Sequence, residues 1–141
     1  MIGALVAMSR VRAGFSALER RDLDAFVSSF ADDAVVNYPT VGAIKGRAAI
    51  REFYRHFLQT FPKVEAVVHD VGVQNIFDVV GTNVVFSHFE IATTNRSGVT
   101  FNQEALQLIR IKRGKMTLLH FVFLDVEAHR RAWKESESLP A

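Results

Sequence analysis

The chain has 141 residues, the length of one ordinary domain, and 49% of them are hydrophobic, including twelve Phe, so it can bury a core without covalent staples. There is no cysteine, which excludes disulfides, thiol catalysis and zinc–thiolate centres. The formal charge is only +2, and the tightest basic cluster is His129-Arg130-Arg131, so the basic stripe of a nucleic-acid binder is not seen.

In chain order, Met1–Met8 is apolar but short, with no basic stretch before it and no clear cleavage site. No apolar run approaches the ~18 residues of a membrane span. A soluble, cytoplasmic protein is expected, with no membrane partner. Val11, Phe15 and Leu18 then recur at helical spacing, as do Leu23, Phe26, Val27 and Phe30. Arg21-Asp22 separates the two helices, and Asp22 suits the cap of the second. Asp32-Asp33 falls where that helix is expected to stop. Ala34–Tyr38 reads as a short strand ended by Pro39, with a loop between Gly42 and Gly46. Ile50, Phe53, Tyr54, Phe57, Leu58 and Phe61 predict a third helix, stopped by Pro62.

From Val64 the period changes to two. Strands are predicted over about Val64–Val79, Val84–Thr94, Val99–Lys112 and Lys115–Leu124. The links between them are short and carry turn residues, so the strands should be antiparallel neighbours. A short helix from about Val126 to Trp133 is predicted to close the domain, with a loose tail after it (residues 134–141). The order α-α-β-α-β-β-β-β describes an α+β fold, a single domain with its core at about residues 8–133, in which a long antiparallel sheet curves around the helices.

Alternation assigns the two faces. Val85, Ser87, Phe89 and Ile91 share one face with Ala105, Gln107, Ile109 and Ile111, and with Leu119, Phe121 and Phe123. That face is almost entirely apolar and should meet the helices, enclosing a pocket. The opposite face carries His88, Glu90 and His120 among Phe86, Leu106, Leu108, Val122 and Leu124, too large an apolar patch for solvent. A homodimer through this convex face is expected.

Several segments resemble the nuclear transport factor 2-like superfamily, the cone-shaped fold of ketosteroid isomerase and the SnoaL-like polyketide cyclases. They are Ala17-Leu18 with Arg21-Asp22-Leu23-Asp24, then Phe30 to Val36, then Gly46 with Ala48 to Tyr54, and finally Gly114-Lys115-Met116 and Phe123-Leu124-Asp125. The resemblance implies a small-molecule pocket and, in an enzyme, cofactor-independent isomerase, cyclase or dehydratase chemistry. It also implies that the steroid isomerases' carboxylate base falls at Tyr38, their first-helix Tyr at Gly14 and their protonated Asp near Gln107, while Tyr54 matches a supporting Tyr. A Tyr needs a pKa several units below ~10 to replace a carboxylate base at neutral pH, so a steroid isomerase with the usual residues is excluded.

The candidates carry two readings each. Tyr38 is either a hydrogen-bond donor at the pocket mouth or a rim Tyr filling space. Gln107, a lone amide on an apolar face, needs a ligand, a water or Tyr54 as partner. Asp125 is either a general base or the cap of the last helix. Tyr54, Phe89, Ile109, Phe121 and Phe123 are expected to line the pocket. His88, Glu90 and His120 form either a cross-strand network at the dimer face or, with the faces inverted, the active site. No metal and no cofactor is expected, and the ligand should be a small apolar molecule: a substrate, or a metabolite merely bound. A third reading is a dimeric interaction module in which the pocket is vestigial and the convex face matters.

Overall fold

The computed structural model describes residues 2–75 and 81–141. Helix α1 (Ile2–Glu19) leads into α2 (Leu23–Ser28), strand β1 (Phe30–Tyr38), strand β2 (Gly42–Lys45) and helix α3 (Arg47–Thr60). Four long strands follow, β3 (Lys63–Val73), β4 (Thr82–Thr94), β5 (Thr100–Lys112) and β6 (Lys115–Phe123), and then helix α4 (Val126–Glu137). The strands form one six-stranded sheet in the order β2-β1-β6-β5-β4-β3. The sheet is curved and unclosed, and the helices lie against its inner face. This is the α+β fold with a curved sheet that the periodicity predicts, in the cone shape that the resemblance implies.

The long hairpins keep the predicted faces: Gln107 pairs with Ser87 on one side and Phe121 on the other, all in the inner set. The inner set is buried, with Val85, Phe89 and Ala105 essentially inaccessible. Phe89 meets Phe15 of α1 at a ring separation of 4.7 Å, which joins sheet and helix into one core.

The structure corrects the sequence analysis in five places. Gly42–Lys45 is a strand, because pairing with β1 converts a segment that looks like a loop in isolation. β1 runs parallel to β6, since no tight hairpin fixes their relative direction. Asp32 and Asp33 lie inside β1, where its register with β6 shifts, and Asp32 pairs with Arg47 at 3.0 Å. The strand predicted to run to Val79 ends at Val73, and residues 76–79 of that prediction lie outside the described residues. Finally, α4 extends to Glu137, so the first half of the predicted tail is helix. Ser136 is completely buried and accepts from Asn95 Nδ2 at 3.3 Å, and Arg96 donates to the Leu139 carbonyl at 2.5 Å.

Two turns hold the helices against the sheet. Arg21 adopts φ 60°, which costs about 1–2 kcal/mol for a non-Gly residue. Its guanidinium donates to the carbonyls of Leu58 (2.8 Å) and Pro62 (3.0 Å), tying the end of α1 to the end of α3. Gly46 precedes α3 at φ 88°, a conformation open to Gly, and its N–H donates to Ala34.

Candidate functional site

A cavity of about 230 Å³ lies between α1 and the inner faces of β5 and β6. It exists because α1 presents small residues there: Ala7, Ala13, Gly14 and Ala17. A Cβ built on Gly14 meets no atom within 4 Å. The sheet supplies Ile109, Ile111, Leu119 and Phe121, and α2 and α3 supply Phe26 and Tyr54. Those lining residues that are exposed, Arg10, Ala13, Arg20 and Ala25, mark the mouth between α1 and α2.

Two buried polar side chains interrupt this apolar wall. Gln107 reaches it from the middle of β5 and is 6% exposed. Tyr54 reaches it from α3 and is 3% exposed, its ring 4.4 Å from that of Phe26. The Tyr54 hydroxyl is buried without a hydrogen-bond partner, and among the described residues the Gln107 side chain has none either. Burial pushes the Tyr54 pKa well above its ordinary value, so its hydroxyl remains a donor. Among the described residues no carboxylate and no imidazole lines the cavity.

The other predicted residues lie elsewhere. Tyr54, Ile109 and Phe121 line the cavity, but Phe89 and Phe123 do not. Phe89 is spent on packing against Phe15, and Phe123 stacks on His129 at 3.8 Å. Tyr38 is not at the mouth. It is 5% exposed, enclosed by Phe53, Phe121, His129 and Trp133, and its hydroxyl accepts from Trp133 Nε1 at 3.3 Å. The aromatic side of α4 covers the place where an open rim was expected. Burial raises the Tyr38 pKa further, the opposite of what a base requires. Asp125 is exposed and outside the cavity, and it caps α4 by accepting from the Ala128 N–H at 2.9 Å.

His88 and Glu90 lie on the outer face, as the alternation predicts. His120 does not join them: it sits across from Leu108, while His88 sits across from Leu106, with β5 between. The partners are others. His88 Nδ1 faces Asp70 (3.2 Å) and Nε2 faces Glu104 (2.6 Å), while His69 faces Glu90 at 2.7 Å. Carboxylates at both ring nitrogens, Glu104 foremost, raise the His88 pKa. A register shift between Val68 and Asp70 turns both His69 and Asp70 outward, which strict alternation does not foresee. Among the described residues no such cluster has the makings of a metal site.

Sequence reasoning missed His129. It is 2% exposed, its Nδ1 lies 2.5 Å from Gln103 Oε1, and its Nε2 is buried without a partner. Burial lowers its pKa to about 4. It also missed the small residues of α1 and the rim arginines, whose signal was an absence of bulk at Ala7, Gly14 and Ala17.

A family model of the SnoaL-like domain matches residues 11–119. Among solved structures, the chain is similar to Bal32a from a soil-derived mobile gene cassette, at 20% identity over 93% of this chain and 98% of that one, with a TM-score of 0.75. It is similar to an LEH-like epoxide hydrolase of M. tuberculosis, at 19% identity over 93% and 91%, with a TM-score of 0.71. A ketosteroid isomerase-like protein from Erwinia carotovora atroseptica aligns at 19% identity over 86% and 96%, also at 0.71. Identities this low establish the cone fold and leave the chemistry open. No curated protein matches the chain. No described helix is long and apolar enough to cross a membrane.

Proposed function

Because the chain belongs to the SnoaL-like domain family, we propose that it works by binding one small, mostly apolar, oxygen-bearing molecule in the cavity under α1. The supporting observation is a pair of polar side chains in an apolar wall: the Tyr54 hydroxyl, buried without a partner, and Gln107, whose side chain has no partner among the described residues. A buried hydroxyl left without a partner costs about 1–3 kcal/mol; a ligand oxygen accepting from Tyr54 removes that cost, and the Gln107 amide offers it a second donor. A cavity of about 150 Å³ accepts benzene, so one of this size suits roughly a two-ring molecule.

Binding is favoured over turnover by the same lining. Isomerase, cyclase or dehydratase chemistry moves a proton, and among the described residues neither a carboxylate nor an imidazole faces this cavity. The test is a fluorescence titration with 2-acetylnaphthalene, a neutral two-ring ketone. Gln107→Leu and Tyr54→Phe should each weaken binding about five- to tenfold, as expected for a lost hydrogen bond. Unchanged affinity in both variants would sink the assignment.

We also propose that the outer face of the sheet pairs with a second copy of the chain. Phe86 (52% exposed), Leu106 (44%), Val122 (47%) and Leu124 (58%) form the patch. Along β5 the outward residues run Glu104, Leu106, Leu108, Arg110, acidic at one end and basic at the other. A two-fold copy placed antiparallel sets each acidic end against the other's basic end. Leu106→Glu should halve the mass measured in solution. A monomeric mass for the unaltered chain contradicts the pairing.

A further inference from the structure

The mouth of the cavity is cationic, and this narrows the ligand. Among the described residues its charged lining is Arg10 and Arg20, both exposed, with no acidic residue beside them. They are ten positions apart on and just beyond α1, about 15 Å along the axis, so they flank the opening from its two ends. Neither guanidinium is in an ion pair among the described residues: Arg10 donates to the Gly114 carbonyl and Arg20 to Ser16 Oγ. Lys115 adds a third cation beside α2, donating to the Ser28 carbonyl at 2.6 Å. The acidic side chains of the same stretch are committed elsewhere. Glu19 accepts from the Ala66 N–H, Asp22 from the Ala25 N–H, and Asp24 from Arg51. None of these carboxylates pairs with Arg10 or Arg20 among the described residues, which leaves both guanidinium groups available to an anion.

An apolar cavity under a cationic rim recognises an amphipathic anion. We propose that the ligand is a small, mostly apolar monocarboxylic acid with a second oxygen, its rings or chain in the cavity with that oxygen at Tyr54 and Gln107, and its carboxylate at the rim on Arg10 or Arg20. This rests on the cavity-binding proposal above and adds the charge of the ligand. Guanidinium is suited to the task, because its fork of N–H donors keeps donors free after one has met a carbonyl or hydroxyl. Both arginines are long enough to swing over the opening, and either can hold the carboxylate while the other excludes solvent cations.

The experiment compares 2-naphthoate with 2-naphthamide, which have the same shape and differ in charge. Fluorescence titrations are run at pH 7.5 with the full chain. The proposal expects naphthoate to bind about five- to tenfold more tightly, the size of a charge-assisted contact at a half-exposed site. That preference should shrink between 20 mM and about 500 mM salt, as surface charge is screened. In the Arg10→Gln, Arg20→Gln double variant the ratio of the two affinities should fall to about one. Equal binding of the two probes to the unaltered chain overturns the anion proposal and leaves the cavity proposal standing. A preference that survives the double variant overturns the assignment to Arg10 and Arg20. Failure of both probes to bind overturns the cavity proposal and this one with it.

Discussion

The indole N–H of Trp133 donates to the hydroxyl of Tyr38 at 3.3 Å, inside an aromatic cluster that neither side chain leaves. This bond closes the end of the cone that the sequence alone suggests is open. It makes Tyr38 a structural residue, part of the seat of α4. Tyr38→Phe should therefore leave a buried indole N–H without an acceptor and cost about 1–2 kcal/mol in chemical denaturation. Affinity for 2-acetylnaphthalene should stay within twofold, since Tyr38 is not among the residues lining the cavity.

Gly14 separates stability from function. It sits in the interior of α1, and its Cβ position is empty. Gly14→Ala should stabilise the protein by about 0.5–1 kcal/mol, because Ala restricts the unfolded chain and favours helix. Gly14→Leu should place its side chain in the cavity and abolish binding while keeping the fold. Thermal denaturation and probe titration measured on the same samples check both outcomes.

Asp125 is decided by its cap. Asp125→Ala should cost about 1 kcal/mol through the loss of its bond to the Ala128 N–H, with ligand affinity unaltered. A large loss of affinity at constant stability would restore Asp125 as a functional residue.

His129 sets a pH dependence whose sign can be worked out. Its native pKa is lowered to about 4 by burial, against about 6.5 in the unfolded chain. Between those values the unfolded state holds the proton and the native state does not. Stability is therefore complete above about pH 6.5 and falls as pH drops toward 4, by roughly 2–3 kcal/mol. His88 acts with the opposite sign: its raised pKa contributes stability at low pH that is lost as pH rises through the native value. Denaturation at pH 7.5 and 4.5 should show a smaller loss in His129→Phe, which keeps the stack on Phe123, than in the unaltered chain.

The two-residue period of β4, β5 and β6 made the sheet faces legible, because one buried side fixes every side chain along a strand. Gln107 was visible for that reason, as the polar exception on an apolar stripe. Tyr54 was visible as the polar tip of a helix stripe. What stayed hidden depends on pairing or on volume. Gly42–Lys45 becomes a strand only beside Val35–Tyr38. Ser136 is buried only because Asn95 and α4 meet, and nothing in Lys134-Glu135-Ser136-Glu137 announces it. His69 and Asp70 share the outer face only through a bulge. The cavity is the clearest case. Hydrophobic patterns register large side chains, and this space is defined by the small ones of α1.

The binding proposal stands or falls on whether Tyr54 and Gln107 hold a ligand oxygen in the cavity under α1. The most direct measurement is a crystal structure of the protein with 2-acetylnaphthalene bound. The rings should lie between α1 and Ile109, Leu119 and Phe121, with the ketone oxygen within hydrogen-bond distance of Tyr54 Oη and the Gln107 side-chain amide. A ligand bound elsewhere, or seated in the cavity with its oxygen turned away from both, would contradict it.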